Sequence, residues 1–386
     1  MLHYRSVLIG QFISRMANRK TSLAAIESMI GGSFYGDGAQ KKPQVFVSRH
    51  ICMLACGTVW FFCVFCVSFV VAQPCCNVMG GTILVEDDCV CGGDYVANAT
   101  AKLQFNGCVI TAENIILTGG DFVIADNVTM IFDTMFAAQA QQVEFDVATI
   151  SQRVPSPSSV ISLTGIQKGV AVRFSLLETE TLVVDGSSDF LHGIHFNHTN
   201  ITAEVINMRG FSSDEDGIQI LSPTYTTSPT ARHNYLGLAN SPTKNVRGIE
   251  FEFDDTNWVF YNANFTGLID SGGSFPSIGI RFSQGTPHFS GTTVLHGELL
   301  NTTRGGTGLF WFQCMPFFDG PGTLELKAFG TNTGFSFFNG VYMNSFDCNL
   351  NIIGGCDGFT HGGPNTTIID STITGTIQST PEYQRG

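Results

Sequence analysis

The chain has 386 residues, of which 43 are glycine and 33 phenylalanine, while only 13% are charged. Sparse Lys and Glu beside abundant Gly, Thr, Val, Ile and Phe exclude a helical protein and predict many short strands. The net charge of −13 is unevenly spread: residues 1–50 hold seven Lys/Arg against Glu27 and Asp37, whereas everything after residue 72 holds 12 Lys/Arg against 30 Asp/Glu, and so acidic a bulk excludes nucleic acid as a partner, because phosphate binding needs a basic footprint.

The first 50 residues read as a basic cytosolic tail. Within it Leu2, Val7, Leu8, Phe12, Ile13 and Met16, with Arg5 and Arg15, have the spacing of a basic amphipathic helix on the inner leaflet. A disordered tail is the alternative. Ile51–Ala72 then runs without a charge, long enough to cross a hydrocarbon layer of roughly 30 Å as one transmembrane helix. Lys41, Lys42 and Arg49 precede it and Glu86, Asp87 and Asp88 follow it, which keeps the N-terminus cytosolic. Val70-Val71-Ala72 offers a signal-peptidase site, but the apolar run exceeds the roughly 7–15 residues of a signal peptide. The expectation is an uncleaved signal-anchor with the remainder extracellular or luminal; secretion after cleavage at Ala72 is the alternative.

Cys52, Cys56, Cys63 and Cys66 fall in the apolar run and behave there as small apolar residues. Cys75, Cys76, Cys89, Cys91, Cys108, Cys314, Cys348 and Cys356 follow it, five of them crowded into residues 75–108, as disulfides in an oxidising compartment would be. Five is odd, so one of these is free or pairs elsewhere. Zinc is the rival reading, but the CC and CVC spacings are not paired knuckles. Seven Asn-x-Thr sequons, at Asn98, Asn127, Asn197, Asn200, Asn264, Asn301 and Asn365, all lie after the apolar run and predict a glycoprotein with these side chains facing solvent.

An internal repeat decides the architecture. A motif of Gly, apolar, variable, apolar begins at Gly169, Gly193, Gly217, Gly248, Gly279, Gly308, Gly334 and Gly358, at intervals of 24, 24, 31, 31, 29, 26 and 24 residues. Alternation places its second and fourth residues on one face and its third on the other. Further strand-like runs, such as Ile201–Ile206, Trp258–Tyr261, Leu324–Lys327 and Cys348–Ile353, fall between motifs. Two or three short strands per period make the rung of a parallel β-helix. One inward column is expected to read Val170, Ile194, Ile218, Ile249, Ile280, Leu309, Phe335, Phe359, and a second Val172, Phe196, Ile220, Phe251, Phe282, Phe337. The outward column reads Ala171, His195, Gln219, Glu250, Arg281, Phe310, Ser336, Thr360. A leucine-rich repeat lacks its Leu/Asn framework here and a propeller its Trp-Asp; a β-sandwich, without a glycine register, is the main rival. The expected order is a tail over 1–50, the anchor over 51–72, a Cys-rich cap or neck over 73–109, a coil of about ten rungs over 110–378 and a tail over 379–386.

This pattern resembles the pectin-lyase-like superfamily over roughly residues 110–378, at the level of architecture. The resemblance implies an all-β, single-stranded right-handed parallel β-helix. It leaves function open, because lyases, hydrolases, tailspikes and adhesins share that fold. Catalytic candidates are Asp214, Asp216, Glu250, Asp254, Asp255 and Arg281, the densest polar cluster on the coil; glycoside hydrolysis needs two carboxylates about 5–10 Å apart. The hydrolase elements are incomplete. Asp216-Gly217-Ile218 lacks a preceding Asn-Thr, His296-Gly297 and His361-Gly362 each lack a leading Gly, and only the Asp254-Asp255 doublet matches. Glu250 with Arg281 reads as a rung-to-rung ion pair on a wet face. His192, His195 and His198, spaced by three, scatter over both faces of a strand rather than bind metal. Asp214-Glu215-Asp216-Gly217 is acidic enough for calcium but has no EF-hand loop, so no cofactor is expected. The expected function is a non-catalytic surface glycoprotein, of a cell or a virion, acting in attachment, glycan or receptor recognition, or as a structural coat. A carbohydrate-active enzyme is the alternative, and a self-assembling homotrimeric shaft the third reading.

Overall fold

The computed structural model describes residues 75–377 apart from short stretches at 227, 255–256, 271–276, 301–306, 315, 320–322, 330–332, 339–342, 347–348, 355–359, 362–365 and 370–371, with side chains described as far as residue 318. The basic tail, the apolar run, Asp255, Asn301, Cys348, Cys356, Phe359 and Asn365 lie outside the described residues. Among the described residues every regular element is a strand, and no helix is long and apolar enough to cross a membrane.

All strand pairs are parallel, and each strand pairs with its counterpart one period further along the chain, in a 23-stranded, a 7-stranded and a 5-stranded sheet. This is an all-β parallel solenoid. The glycine repeat sets its register as expected: Val170, Ile194, Ile218, Ile249, Ile280, Leu309 and Phe335 stand above one another. So do Val172, Phe196, Ile220, Phe251, Phe282 and Phe337, with Trp311 between the last two. The coil is longer than about ten rungs. One ladder can be followed from Asn77 to Ile377 through thirteen strands.

The Cys-rich stretch supplies the first of these coils rather than only covering their end. Asn77–Gly80 pairs with Tyr95–Ala99, and Ile83–Val85 with Lys102–Asn106. Disulfides Cys75–Cys89 and Cys76–Cys91 tie the first coil to itself, while Cys108 is buried and unbridged. The spacing disguised these strands because cysteines stand where aliphatic residues mark the later coils.

The interior changes character along the axis. Before residue 230 it is mostly aliphatic; beyond it rings pile up. Phe282 stacks on Trp311 at 4.6 Å, Tyr235 on Phe265 at 4.7 Å, and Phe260 on Phe289 at 5.4 Å. Such pairs contribute about 0.5–1.5 kcal/mol each beyond area burial, and the parallel register sets Phe251, Phe282 and Trp311 one above another.

Two backbone features recur along the coil. The first is a turn made by one residue in the left-handed region directly after a strand: Asn127, Val147, Phe174, His198, Ser222, Gln284 and Gln313. Most of these residues donate their N–H to the carbonyl at the equivalent turn of the next coil, as Val147 does to Arg173 at 3.0 Å and Phe174 to Asn197 at 2.9 Å. The stack enforces a conformation that a β-branched residue resists by about 1–2 kcal/mol. Val147, with φ of 50° and its side chain exposed, shows that cost openly. Val147→Asn should therefore raise the melting temperature, by about 1 kcal/mol of stability; a melt at or below that of the parent would refute the strain.

The second feature is a pinched corner. A second glycine column, Gly165, Gly186, Gly210, Gly237, Gly267 and Gly297, runs in register along the ladder that precedes the repeat motif. Its members press against the motif glycines: a Cβ on Gly210 would lie 2.0 Å from the carbonyl oxygen of Gly217, and one on Gly237 1.9 Å from that of Gly248. From Gly186 to Gly308 each coil thus leaves the cylinder at one glycine and returns at the next. The intervening segments, strand ends at 187–188, 211–212 and 238–239 followed by loops at 189–193, 213–217 and 240–246, stack into a ridge beside the coil. Further along, the ridge has its own small apolar core of Ala239, Val246, Ile269 and Leu299.

Candidate functional site

Two sets of side chains meet along one flank of this ridge. From the outward column come His195, Gln219, Glu250, Arg281 and Phe310, in consecutive register on strands Ile194–Asn197, Ile218–Leu221, Arg247–Glu252, Ile278–Ser283 and Thr307–Phe312. From the ridge loops come His192 and Asp216, with Arg247 where the chain re-enters the coil.

Asp216 and Glu250 are buried carboxylates, their side chains 2% and 4% exposed. Burial of two acids in one place is costly unless both are paired, and the pairing is nearly complete. Arg247 Nη1 donates to Asp216 Oδ2 at 3.2 Å and to Glu250 Oε2 at 3.1 Å, and the Arg247 backbone N–H donates to Asp216 Oδ1 at 2.7 Å. Arg281 Nη1 meets Glu250 Oε1 at 3.1 Å. Gln219 Nε2 donates to Glu250 Oε2 at 2.9 Å, which leaves its Oε1 to accept from His195 Nδ1 at 2.8 Å. That contact fixes the His195 tautomer with its proton on Nδ1. The Asp216 backbone N–H donates to His192 Nδ1 at 3.3 Å, so this ring nitrogen is an acceptor, and the ring stacks on His195 at 5.3 Å.

Charge in this network follows burial. Desolvation pushes the Asp216 carboxyl up to about 7, with Arg247 opposing it and Glu250 adding to it. Desolvation, with the neighbouring His192 ring, lowers His195 to about 4, and desolvation lowers His192 as well. Both histidines are therefore neutral at pH 7. Although His192 Nδ1 lies 3.9 Å from Asp216 Oδ2, the accepting role of that nitrogen and its lowered pKa mean that no ion pair forms there. Burial would lower Arg247, but the two carboxylates outweigh it and hold the guanidinium above its ordinary value.

The candidate residues part company in space. Asp216, Glu250 and Arg281 join one network, and the expected Glu250–Arg281 ion pair is present. Glu250 itself is buried in this pair, while Arg281 keeps 21% of its side chain exposed and lies against Phe312 at 5.5 Å. Asp214 belongs to a separate exposed cluster, in which Lys244 bridges it at 2.7 Å and Glu215 at 2.6 Å. Hydrogen bonds from Asp214 first, then Glu215, hold Lys244 above its usual pKa. Asp254 stands apart beyond the strand end, accepting from the Ser222 hydroxyl at 2.7 Å. The histidines do not scatter over one strand. His192 lies in the loop ahead of Gly193, which lets it stack on His195, while His198 occupies a left-handed turn and stacks on Phe174 at 5.1 Å.

Lys244, and Arg247 in its bond to Asp216, went unmarked in the sequence because the acids they meet lie roughly thirty positions upstream and only the stacking brings them together; Glu250, the other partner of Arg247, is three residues downstream. Asp216 Oδ2 and Glu250 Oε2 share one guanidinium nitrogen, so they lie no more than about 6 Å apart, within the spacing that glycoside hydrolysis uses. Neither presents a free face to a substrate. Among the described residues the one His/Cys/Asp/Glu group tight enough for an ion is Cys75, Cys76 and Cys89, whose sulfurs are committed to disulfides. Asn98, Asn127, Asn200 and Asn264 are exposed and Asn197 is half-buried, all on outward positions or turns. No protein-family model, no curated protein and no solved structure matches this chain.

Proposed function

We propose that the protein is a non-catalytic surface glycoprotein. Anchored by Ile51–Ala72, it would present a right-handed parallel β-helix of the pectin-lyase-like superfamily to the outside of a cell or virion, for attachment, glycan recognition or coating. The observation that carries the reading is the tying-off of Asp216 and Glu250: this acidic pair is bound to Arg247 and Arg281, with 2% and 4% of the carboxylate side chains exposed. A hydrolase or lyase needs such groups open to substrate. Outward sequons and the paired disulfides agree with an oxidising, glycosylating compartment. The right-handed winding follows from the strong preference of parallel crossovers.

One observation favours a second reading, a carbohydrate-active enzyme. The Asp216 carboxyl, pushed up to about 7, titrates where a general acid would. A panel of neutral and acidic polysaccharides, incubated with the full chain with and without calcium, separates the two. The proposal expects no reducing ends and no unsaturated products, together with a mobility shift after N-glycan removal. Products that disappear in Asp216→Asn and Glu250→Gln would overturn it in favour of the enzyme.

A further inference from the structure

The interior holds one side chain that its column does not explain. In successive coils the same inward position is filled by Phe136, Ile161, Leu182 and Ile206, then by His233, then by Ala263. His233 is 0% exposed, and neither ring nitrogen has a hydrogen-bond partner. Rings surround it, with Tyr225 at 6.0 Å, Tyr235 at 6.1 Å and Phe260 at 6.2 Å. An unpaired imidazole in such a place costs free energy that a leucine would not.

The groups packed around the ring offer a neutral imidazole shelter and an imidazolium none. Tyr235 on its own strand and Tyr225 on Thr224–Thr226 hydrogen-bond each other at 3.4 Å, and burial pushes both phenols up, so they stay protonated. Ile206, Phe260 and Ala263, from the strands Val205–Ser212, Asn257–Tyr261 and Ala263–Ile269, carry no titratable group. Arg232, next to it in the chain, points outward. The acid whose charge reaches the ring is Glu204. Its carboxylate is already engaged, accepting from Ser228 Oγ at 2.5 Å and Thr230 Oγ1 at 3.0 Å. Those hydroxyls belong to the turn at 228–231 that leads into His233, and Asn262 Nδ2 donates to the Pro229 and Ala231 carbonyls of the same turn at 3.4 and 3.5 Å. Side chains therefore fasten this turn to its neighbours.

We infer that His233 is an acid sensor built into the coil: on taking up a proton its ring leaves the aromatic interior for Glu204 and water, Glu204 releases the Ser228 and Thr230 hydroxyls, and the turn at 228–231 opens. Desolvation lowers His233 from 6.5 to about 4, with Glu204 opposing. A histidine lowered on folding is neutral in both states above 6.5. As pH falls from 6.5 towards 4 the open form binds a proton that the closed form refuses, so closure weakens through that window. His192 and His195 are lowered too and weaken their own coil over the same range, so the place of the opening carries the test. The sensor does not depend on the glycoprotein reading, since it uses neither the anchor nor the sequons.

The test is amide hydrogen exchange of the full chain, purified in mild detergent, followed by mass spectrometry at pH 7 and pH 4.5 and corrected for the intrinsic exchange rate. Peptides over 224–239 should lose protection on the order of a hundredfold on acidification, while those over 135–152, which hold no histidine, keep theirs. His233→Leu and His233→Phe restore the residue types of Leu182 and Phe136, and each should abolish the acid loss at 224–239. His198→Asn, at an exposed turn, should leave it as in the parent. Unchanged protection in the parent at pH 4.5 would overturn the inference whether or not the variants fold. So would a loss spread evenly along the coil, one that persists in both His233 variants, or one that disappears in His198→Asn.

Discussion

Gly237→Val is expected to prevent the coil from forming rather than merely to trim its stability. A Cβ at this position would lie 1.9 Å from the Gly248 carbonyl oxygen and 2.7 Å from its carbon, and both obstacles are backbone. A flexible side chain could swing aside; a carbonyl locked into the parallel ladder cannot. Overpacking against side chains typically costs about 1–3 kcal/mol. Here relief would require shifting two coils together, so a loss of roughly 4 kcal/mol or more is expected, comparable to the whole margin of many domains. Gly92→Ala is the matched control, because a Cβ there meets nothing within 4 Å. Expression yield and the thermal melt followed by circular dichroism report the outcome. If Gly237→Val folds and melts like Gly92→Ala, the pinched corner is not what those glycines are for.

Arg247→Met should cost about 3–5 kcal/mol at pH 8, the penalty for stranding buried charge. It deletes the guanidinium shared by Asp216 and Glu250 and leaves Glu250 with Arg281 and the Gln219 amide. The sign of the pH dependence follows from Asp216. Its folded pKa is already raised from 3.8 to about 7, chiefly by burial, and without Arg247 it should rise further. A group raised on folding contributes stability below its unfolded pKa and loses that contribution as pH rises through the folded value. The deficit of Arg247→Met relative to the parent should therefore be largest at pH 8 and shrink towards pH 5. The buried histidines titrate in both proteins and largely cancel in the difference. Adding Asp216→Asn to Arg247→Met should recover more than half of the deficit. Thermal melts at pH 5 and pH 8 decide the matter: a neutral Arg247→Met, or a deficit that does not change with pH, would show that the network is solvated after all.

Much of this architecture was legible in the residues, and the reasons for success and failure are physical. The motif glycines from Gly169 to Gly279 repeat because each passes close to backbone, so they keep their place from coil to coil there and mark the register of both inward columns and of the His195–Gln219–Glu250–Arg281 ladder. The partner column at Gly186, Gly210 and Gly237 was hidden, although it obeys the same constraint. Loops of varying length separate it from the motif, and no alternating run follows it. Beyond Gly107 and Asn127 the left-handed turns left no chemical trace, because Val147, Phe174, His198 and Gln284 occupy positions where glycine or asparagine would have announced them. There the hydrogen-bonded stack overrides residue preference. Glu250 and Arg281 were paired correctly because adjacent coils put them side by side. The burial of Glu250 could not be read, since it depends on a ridge whose loops carry no repeat of their own.

The two disulfides of the first coil have a mechanical consequence. In a solenoid each turn leans on its neighbours alone, so a pulling force detaches turns one by one from whichever end gives way. Cys75–Cys89 and Cys76–Cys91 rivet the leading turn, and load arriving from that side meets a covalent stop before it can begin to unwind the strands behind.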